Sequence, residues 1–429
     1  MKVLMFGWEF PPHISGGLGT ACYGLSKGLL YNDVDVLFVV PKTYGDEEGD
    51  RIRLISASDI SFDASEQFFH ELWKRLTVIG VHSMLMPYVS PEEFSSISSS
   101  SHPESKYTED VVFSSRFNFS GKYGLNLFNE VARYAVVAAK IASMHEFDVI
   151  HAHDWLTYPA AIAAREISGK PFIAHVHATE FDRSGENVNQ AVFDMEREGM
   201  LAADKVIAVS NFTRNIVINR YGISPDKVIA VHNAVMPGVN TNLKPEKFFP
   251  EKLVTFLGRV TFQKGPDYFV EAAYKVLQKD NNVRFAMAGT GDMLSKIIKR
   301  VAQLRIASKF HFTGFLKGGE VDRIFGLSDV YVMPSVSEPF GISPLEALRS
   351  NVPVIISKQS GVAEILRHAL KVDFWDIDAI ADSIYGILHY GGLTRMFSKY
   401  GKAEVENLKW DDAAWKVKKV YGDLMNELK

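Results

Sequence analysis

Short apolar runs alternate with helical patterns along most of this chain, and that alternation limits the folds open to it. The runs are rich in Val, Ile and Phe and apolar at successive positions, which is typical of parallel strands covered by helices on both faces. They are KVLMFG, VDVLFVV, FDVIHAH, PFIAHVH, KVIAVS and KVIAVH in the first half, and LVTFLG, VRFAMAG, FHFTG, VYVMPS and VPVIIS in the second. Helical patterns occupy 128–144, 156–168, 211–221, 266–279, 292–307 and 344–350. The βαβ alternation predicts an α/β protein with doubly wound parallel sheets.

The predicted strands form two clusters, which indicates two sheets rather than one. The segment 233–252 separates them and is rich in Pro and Asn without periodicity, so we interpret it as an interdomain linker. We expect Rossmann-like domains at 1–235 and 250–405 that face a central cleft. The first contains an elaborated region, 42–125, with a serine-rich stretch typical of a long loop. The last segment, 406–429, has a helical pattern. Its expected apolar face comprises Trp415, Val417, Val420 and Leu424.

The composition excludes several classes of protein. The 429 residues carry a formal net charge of −4, which gives no general basic surface for a nucleic-acid partner. A single cysteine, Cys22, excludes an internal disulfide and fits a reducing compartment. The first apolar run is too short for a secretory signal, and no run of about 18 apolar residues predicts a membrane span. We therefore expect a cytoplasmic protein; attachment to a membrane surface is not indicated but stays open.

Ligands of open parallel sheets bind where strands end and helices begin, so the loops there form the candidate site. The first such loop, HISGGLG, places Gly16 and Gly17 between a strand and a helix. Glycines there let backbone amides approach an anionic ligand, although a structural turn also explains them. The loop lacks the G-x-G-x-x-G spacing of a nicotinamide site, and the second strand leads to Lys42 where that site needs an acidic residue. An NAD-dependent oxidoreductase is therefore disfavoured.

Two cations follow a predicted strand in the second half. The block LGRVTFQKGPD supplies Arg259 and Lys264 before a helix that begins near Pro266. A guanidinium and an ammonium suit a diphosphate that gains charge during a reaction. Two solvated surface cations are the alternative. Gly289, in FAMAGTG, lies in a further turn of small residues after a strand.

Two carboxylates, Glu338 and Glu346, flank a Pro-Phe-Gly-Ile-Ser-Pro stretch. Glu338 follows the predicted strand VYVMPS, and Gly341 leaves the backbone near it without a side chain. Ser343 and Glu346 fit the N-cap and N3 positions of a capping box, with Pro344 at N1. Capping alone accounts for Glu346 but not for Glu338. Cations and helix amides suit phosphates, whereas carboxylates suit sugar hydroxyls. These loops together therefore indicate a nucleotide diphosphate sugar as the ligand.

These motifs together resemble those of retaining glycosyltransferases of the GT-B fold, in particular family 4 and the glycogen and starch synthases. The resemblance rests on the E-x7-E pair, the GR…KG block and the early glycine loop, and it covers nearly all of the chain outside 42–125. HAHDW at 151–155 is similar to the segment near the acceptor in glycogen synthases, and GVAEI at 361–365 looks like the G-x-x-E-I segment of family 4. Ser15 stands where those synthases carry a lysine in K-x-G-G-L, which argues against a strict glycogen synthase with ADP-glucose as donor.

The resemblance implies a role for each matching residue. Glu338 would bind hydroxyls of the donor sugar and Glu346 those of the ribose. Arg259 and Lys264 would neutralise the departing diphosphate. His177, in HVHATEFDR, would lie near the reacting carbon; a strand-end histidine with a structural role is the alternative. The implied catalytic residues are Glu338, Lys264, Arg259 and His177. The implied nucleotide-sugar site comprises Gly16, Gly17, Arg259, Lys264, Gly289, Leu316, Glu338, Phe340, Gly341, Ile342, Ser343 and Glu346, and the acceptor side includes His153 and Asp154.

The predicted activity is transfer of a hexosyl group, with glucosyl expected, from a UDP- or ADP-sugar to a carbohydrate acceptor. The resemblance implies retention at the anomeric carbon by front-face attack, and neither a metal nor another cofactor. A family 4 transferase that acts on a lipid-linked or cell-surface glycan is the main alternative. An NDP-sugar epimerase would form product without an acceptor, and a non-catalytic sugar-binding protein would release no nucleotide. The resemblance also implies that the helix in 406–429 crosses back to the N-terminal domain, which would bind the acceptor.

Overall fold

The computed structural model describes residues 1–13, 16–47, 52–62, 69, 72, 116–124, 126–237 and 245–427. Ser15, most of the 42–125 region and part of the 233–252 linker lie outside these residues. The strands are β1 (Lys2–Phe6), β2 (Asp35–Val40), β3 (Arg53–Ser56), β4 (Val149–His153), β5 (Phe172–Val176), β6 (Lys205–Ala208), β7 (Val228–Ala230), β8 (Lys252–Leu257), β9 (Val283–Ala288), β10 (Phe310–Gly314), β11 (Val330–Met333), β12 (Val354–Ser357) and β13 (Leu370–Val372). The α-helices are α1 (Gly17–Tyr31), α2 (Leu127–Met144), α3 (Tyr158–Ser168), α4 (Glu180–Ser184), α5 (Gln190–Ala202), α6 (Asn211–Tyr221), α7 (Pro266–Lys279), α8 (Leu294–Gln303), α9 (Gly319–Leu327), α10 (Ser343–Arg349), α11 (Ile377–His389), α12 (Gly391–Glu406) and α13 (Trp410–Glu427).

The strands pair into two parallel sheets. The first has 7 strands in the order β3-β2-β1-β4-β5-β6-β7, and the second has 6 strands in the order β10-β9-β8-β11-β12-β13. The prediction of two doubly wound α/β domains is confirmed. In each sheet the strand order reverses beside the first strand, between β1 and β4 or between β8 and β11. Open parallel sheets bind ligands at such reversals, at the carboxyl ends of the strands.

Apolar side chains cover both faces of each sheet. On β1, Val3 and Met5 pack with α1 and α13, whereas Leu4 and Phe6 pack with α2, and all four are fully buried. This double burial explains why the strand is apolar at successive positions. The edge strands β3 and β13 lack that pattern because part of each faces solvent, and the sequence did not predict them.

The last helix, α13, packs on α1 beside the first sheet. Trp410 lies against Gly24, where a Cβ atom would come within 2.3 Å of the indole ring, so only glycine leaves room. The expected apolar face is wrong at Trp415, which is 56% exposed. Two residues turn a helix by about 200°, so Trp415 points away from the face that contains Val417. Neither this helix nor any other in the described ranges is long and apolar enough to cross a membrane.

Candidate active site

Lys264 and Glu338 meet at the carboxyl ends of β8 and β11. Lys264 ends a short 3-10 turn after β8, Glu338 follows β11, and the two strands pair directly. The Lys264 Nζ atom donates to Glu338 Oε2 over 2.5 Å, and Ser335 Oγ donates to the same oxygen over 3.0 Å. The Glu338 side chain is 7% exposed and that of Lys264 is 21% exposed. A buried carboxylate is thus paired with a cation that solvent, or a ligand, can reach.

The loop after β12 fixes the backbone around Glu338. The Glu338 N–H donates to the Gln359 carbonyl, and the Glu338 carbonyl accepts from the Gly361 N–H, each over 2.9 Å. Gly341 then turns the chain with a φ of 101°, which residues with a Cβ atom rarely adopt. Among the described residues, none accepts a hydrogen bond from the amides of Gly341 and Ile342. These amides are available to an anionic ligand beside the ion pair.

The predicted capping box at Ser343 and Glu346 is wrong. Helix α10 begins at Ser343, with Ile342 as the N-cap and without a side-chain cap. The Ser343 Oγ atom instead lies 2.8 Å from the hydroxyl of Tyr331 on β11. Burial raises the pKa of Glu346, and the charge of Arg349 partly opposes this rise. No described residue donates a hydrogen bond to the Glu346 carboxylate, which leaves it available to a ligand.

The other candidates of the C-terminal domain present different groups to the cleft. Arg259 follows β8, and its Nη2 atom lies 3.4 Å from Gln263 Oε1. Burial raises the pKa of the nearby Asp292 carboxyl, and Arg259 opposes that rise. Phe340 is 3% exposed and packs in the apolar cluster beside β11 and β12, so only its backbone can face a ligand. The loops after β9 and β10 carry the remaining two candidates, Gly289 and Leu316.

On the N-terminal side, the ends of β4 and β5 bring three predicted residues together. His153 Nδ1 lies 2.9 Å from His177 Nε2, so the two rings share a hydrogen bond. Asp154 has a φ of 59°, and its Oδ1 atom accepts from the His177 N–H over 2.6 Å and from the Ala178 N–H over 3.3 Å. Burial raises the pKa of Asp154 to about 7, although the two amides oppose this, and burial lowers the pKa of His177 to about 3. The site thus holds a neutral imidazole and a carboxyl that titrates near neutrality.

Two further histidines, His151 and His175, lie behind this pair. His151 Nδ1 is 2.6 Å from the hydroxyl of Tyr421 on α13, and His151 Nε2 is 3.0 Å from His175 Nδ1. Burial lowers the pKa of both rings, so they are neutral. Donor atoms of His151, His153 and His175 lie within 4.8 Å of one another, a spacing that a transition metal could use. Both nitrogens of His151 already have partners, so ligation through either one would displace Tyr421 or His175. We assign His151 and His175 to holding α13 on the sheet.

The glycine loop lies at the N-terminus of α1. Gly16 is the N-cap and Gly17 is the first helical residue. Among the described residues, no atom lies within 4 Å of the place where a Cβ atom of either glycine would be. The extended backbone of Gly16, with a φ of −179°, does not itself require glycine. The open space therefore agrees with the approach of a ligand rather than with a tight turn.

Sequence reasoning missed the two serines beside Glu338. Ser335 donates to its carboxylate, and the Ser337 Oγ atom donates to Asp182 Oδ1, in the other domain, over 2.5 Å. Both serines were visible in SVSEPFG, and Asp182 in HVHATEFDR. Serine is common in loops, so nothing in the sequence distinguished these from solvated ones.

Comparisons with known proteins agree across both halves of the chain. The family models Glycosyltransferase Family 4 and Glycosyl transferases group 1 match residues 96–238 and 240–404. An uncharacterized glycosyltransferase of Methanocaldococcus jannaschii is 28% identical over 442 residues, which cover 98% of this chain and 98% of that protein. A glycogen synthase of Mycobacterium tuberculosis is 24% identical over 85% of this chain and 80% of its own length. The structure of Anabaena HepE in complex with UDP and glucose has a TM-score of 0.68 at 15% identity, over 98% of this chain and 99% of that one. This last likeness shows a shared fold.

Proposed function

Because the chain belongs to the family 4, group 1 glycosyltransferases with the GT-B fold, we propose that it moves a hexosyl group, expected to be glucosyl, from a nucleotide diphosphate sugar to a carbohydrate acceptor. The proposal includes retention at the anomeric carbon and independence of metal ions. The proposal depends on the ion pair of Lys264 and Glu338, which lies beside the amides of Gly341 and Ile342, amides without an acceptor in the part of the chain that the structure describes. A cation and N–H donors suit the diphosphate, and the carboxylate suits sugar hydroxyls, within one cleft.

In the proposed reaction, the bond between the sugar C1 atom and the leaving phosphate oxygen breaks while the acceptor oxygen bonds to C1 on the same face. The proton of the acceptor hydroxyl passes to the departing phosphate oxygen. Lys264 and Arg259 stabilise the negative charge that grows on the diphosphate. Glu338 accepts hydrogen bonds from the donor sugar, and Glu346 accepts them from the ribose.

His177 and Asp154 support the N-terminal side of the proposed site. With a pKa lowered to about 3 by burial, the His177 ring stays neutral at pH 7. A neutral imidazole can hydrogen-bond the donor sugar without repelling the positive charge that develops at C1. Asp154 holds the His177 amide and so sets the start of the segment that follows β5.

Two of the similar proteins are associated with glucose, which favours a glucosyl donor for this chain. HepE was solved with UDP and glucose, and the mycobacterial relative is a glycogen synthase. We propose by analogy that UDP-glucose is the first donor to test and that a glucan is the first acceptor.

The test is to incubate the purified chain with UDP-glucose, ADP-glucose and other nucleotide sugars, each with glycogen, maltooligosaccharides or lipid-linked glycans. Nucleotide release should require both a donor and an acceptor, and NMR of the early product should show an α-linkage. Added EDTA should leave the rate unchanged, and Glu338→Gln should abolish transfer. A β-linked product would contradict retention, loss of activity in EDTA would contradict metal independence, and an isomerised donor without acceptor would indicate an epimerase.

A further inference from the structure

Helix α4 of the N-terminal domain touches the loop that carries Lys264. The helix begins three residues after His177 and packs on the 3-10 turn Phe262–Lys264 of the other domain. A Cβ atom at Gly185, directly after α4, would lie 3.5 Å from the Phe262 ring. The segment that carries His177 therefore continues into a direct interdomain contact.

Asp182 on α4 divides its two carboxylate oxygens between the domains. Its Oδ2 atom accepts from the Thr179 N–H over 2.7 Å and from Thr179 Oγ1 over 2.8 Å, which caps α4. Its Oδ1 atom accepts from Ser337 Oγ over 2.5 Å. The Asp182 side chain is fully buried, so neither oxygen can turn to solvent for a substitute donor.

Pro339, which directly follows Glu338, is also bound to the N-terminal domain. The Pro339 carbonyl accepts from Ser210 Oγ over 2.5 Å and from Thr213 Oγ1 over 3.2 Å, at the start of α6. Ser337 and Pro339, the two chain neighbours of Glu338, are thus both hydrogen-bonded to the N-terminal domain.

Glu364, in the GVAEI segment, secures the same end of α6. Its carboxylate accepts from the amides of Asn211 and Phe212 over 3.0 and 2.6 Å, and lies 2.7 Å from His232 Nε2. Burial would raise the pKa of Glu364, but the bonds from His232 and the amides outweigh it, and the pKa is lowered. These contacts hold the Pro339 side of the segment, whereas the bond between Ser337 and Asp182 holds the other side.

We propose that Ser337 is a positioning residue: its bond to Asp182 sets Glu338 against the N-terminal domain, so that the carboxylate is in place for catalysis only when the two domains are together. The inference rests on the proposed function, because it gives Glu338 its role at the donor sugar. A hydrogen bond to a buried carboxylate is among the stronger ones, and removing its donor leaves the oxygen unpaired.

The Ser337 hydroxyl can be removed more cleanly than its counterparts. Asp182 also caps α4, and Ser210 also caps α6 through the Thr213 N–H, so changes at either would disturb a helix. Among the described residues, the Ser337 hydroxyl makes no hydrogen bond other than the one to Asp182, and Ser337→Thr keeps a hydroxyl at the same place. A matched control is Ser398→Ala, a partly exposed serine on α12, away from the cleft loops.

The experiment compares kcat, the Kd of UDP and amide hydrogen exchange of the 335–341 peptide in wild type, Ser337→Ala, Ser337→Thr and Ser398→Ala. In Ser337→Ala, kcat should fall roughly tenfold to a hundredfold, as for loss of one bond to a charged group. The Kd of UDP should change less than about twofold, because Arg259, Lys264 and Glu346, the side chains proposed to hold UDP, do not contact Ser337. Exchange at the Glu338 amide should accelerate, Ser337→Thr should recover most of both effects, and Ser398→Ala should match wild type.

Unchanged kcat and exchange in Ser337→Ala would overturn the inference, as would a parallel rise in the Kd of UDP, since Ser337 would then act within the donor site. A wild-type chain without transfer activity would instead refute the proposed function. In that case the exchange measurement still decides whether the bond to Asp182 holds the Glu338 segment.

Discussion

Lys264→Ala is the sharpest test of where the diphosphate lies. In the free protein the Lys264 ammonium is already bound to Glu338 at 2.5 Å. When a nucleotide sugar binds, Lys264 exchanges the Glu338 carboxylate for the diphosphate, which is another anionic partner. The net gain in affinity from Lys264 is therefore small. As the bond to C1 breaks, charge accumulates on the phosphate, and the ammonium then stabilises the transition state more than the bound donor.

The expected magnitudes follow from that exchange. Removing one charge-stabilising group lowers kcat by roughly 100- to 1,000-fold, whereas the donor Kd should rise by less than about tenfold, equivalent to 1.4 kcal/mol. The substitution also leaves the buried Glu338 carboxylate with Ser335 as its one remaining side-chain donor among the described residues. We expect the free energy of unfolding to fall by about 1–3 kcal/mol. Adding Glu338→Gln should recover part of this loss, because a neutral amide needs no cation.

The assay measures nucleotide release at saturating donor and acceptor, and the Kd of donor by calorimetry. The matched control is Lys275→Ala, since Lys275 Nζ also lies 2.5 Å from a carboxylate oxygen, of Asp378, but the two side chains are 42% and 77% exposed. This control should behave as wild type. If Lys264→Ala turned over like wild type, or if it raised Kd 100-fold or so at unchanged kcat, the assignment of transition-state stabilisation to Lys264 would be refuted.

Three further predictions concern the ribose contact, the crossing helix and a buried carboxyl. Glu346→Gln should raise the Kd of UDP by about tenfold and leave the Kd of pyrophosphate unchanged, and equal loss of both ligands would contradict a ribose contact. The melting temperature should not fall, because Glu346 caps no helix and burial disfavours its charged form. Trp410→Ala should lower the free energy of unfolding by about 3–5 kcal/mol, whereas the exposed Trp415→Ala should change it by less than about 0.5 kcal/mol; similar losses in urea melts would show that α13 is packed differently. With a pKa raised by burial to about 7, Asp154 holds a proton in the native state that the unfolded chain releases above about pH 4, so its contribution to stability falls as pH rises to 7. Asp154→Asn should remove that fall, so the stability of the variant minus that of wild type should be larger at pH 8 than at pH 5. A stability difference that does not change with pH would refute the raised pKa of Asp154.

Local patterns in the sequence determined the fold class and the place of the candidate site. Strands buried on both faces are apolar at successive positions, and Gly and Pro mark the helix starts, so the alternation could be seen without any tertiary contact. Because parallel strands present their carboxyl ends at one edge, the loops with Lys264 and Glu338 could be expected to face one cleft. Edge strands such as β3 could not be predicted from apolar runs, because part of each is exposed to solvent.

Only the tertiary structure decided how the side chains of these loops are paired. Lys264 and Glu338 are 74 positions apart, and Asp182 and Ser337 are 155 apart, so no local pattern records either bond. The hydroxyl of Ser343, which its spacing assigned to a helix cap, is instead bound to Tyr331. Burial depends on a whole face of a helix or strand, and the sequence pattern records that face. A hydrogen bond depends on the position and direction of two particular atoms, which only the folded chain determines.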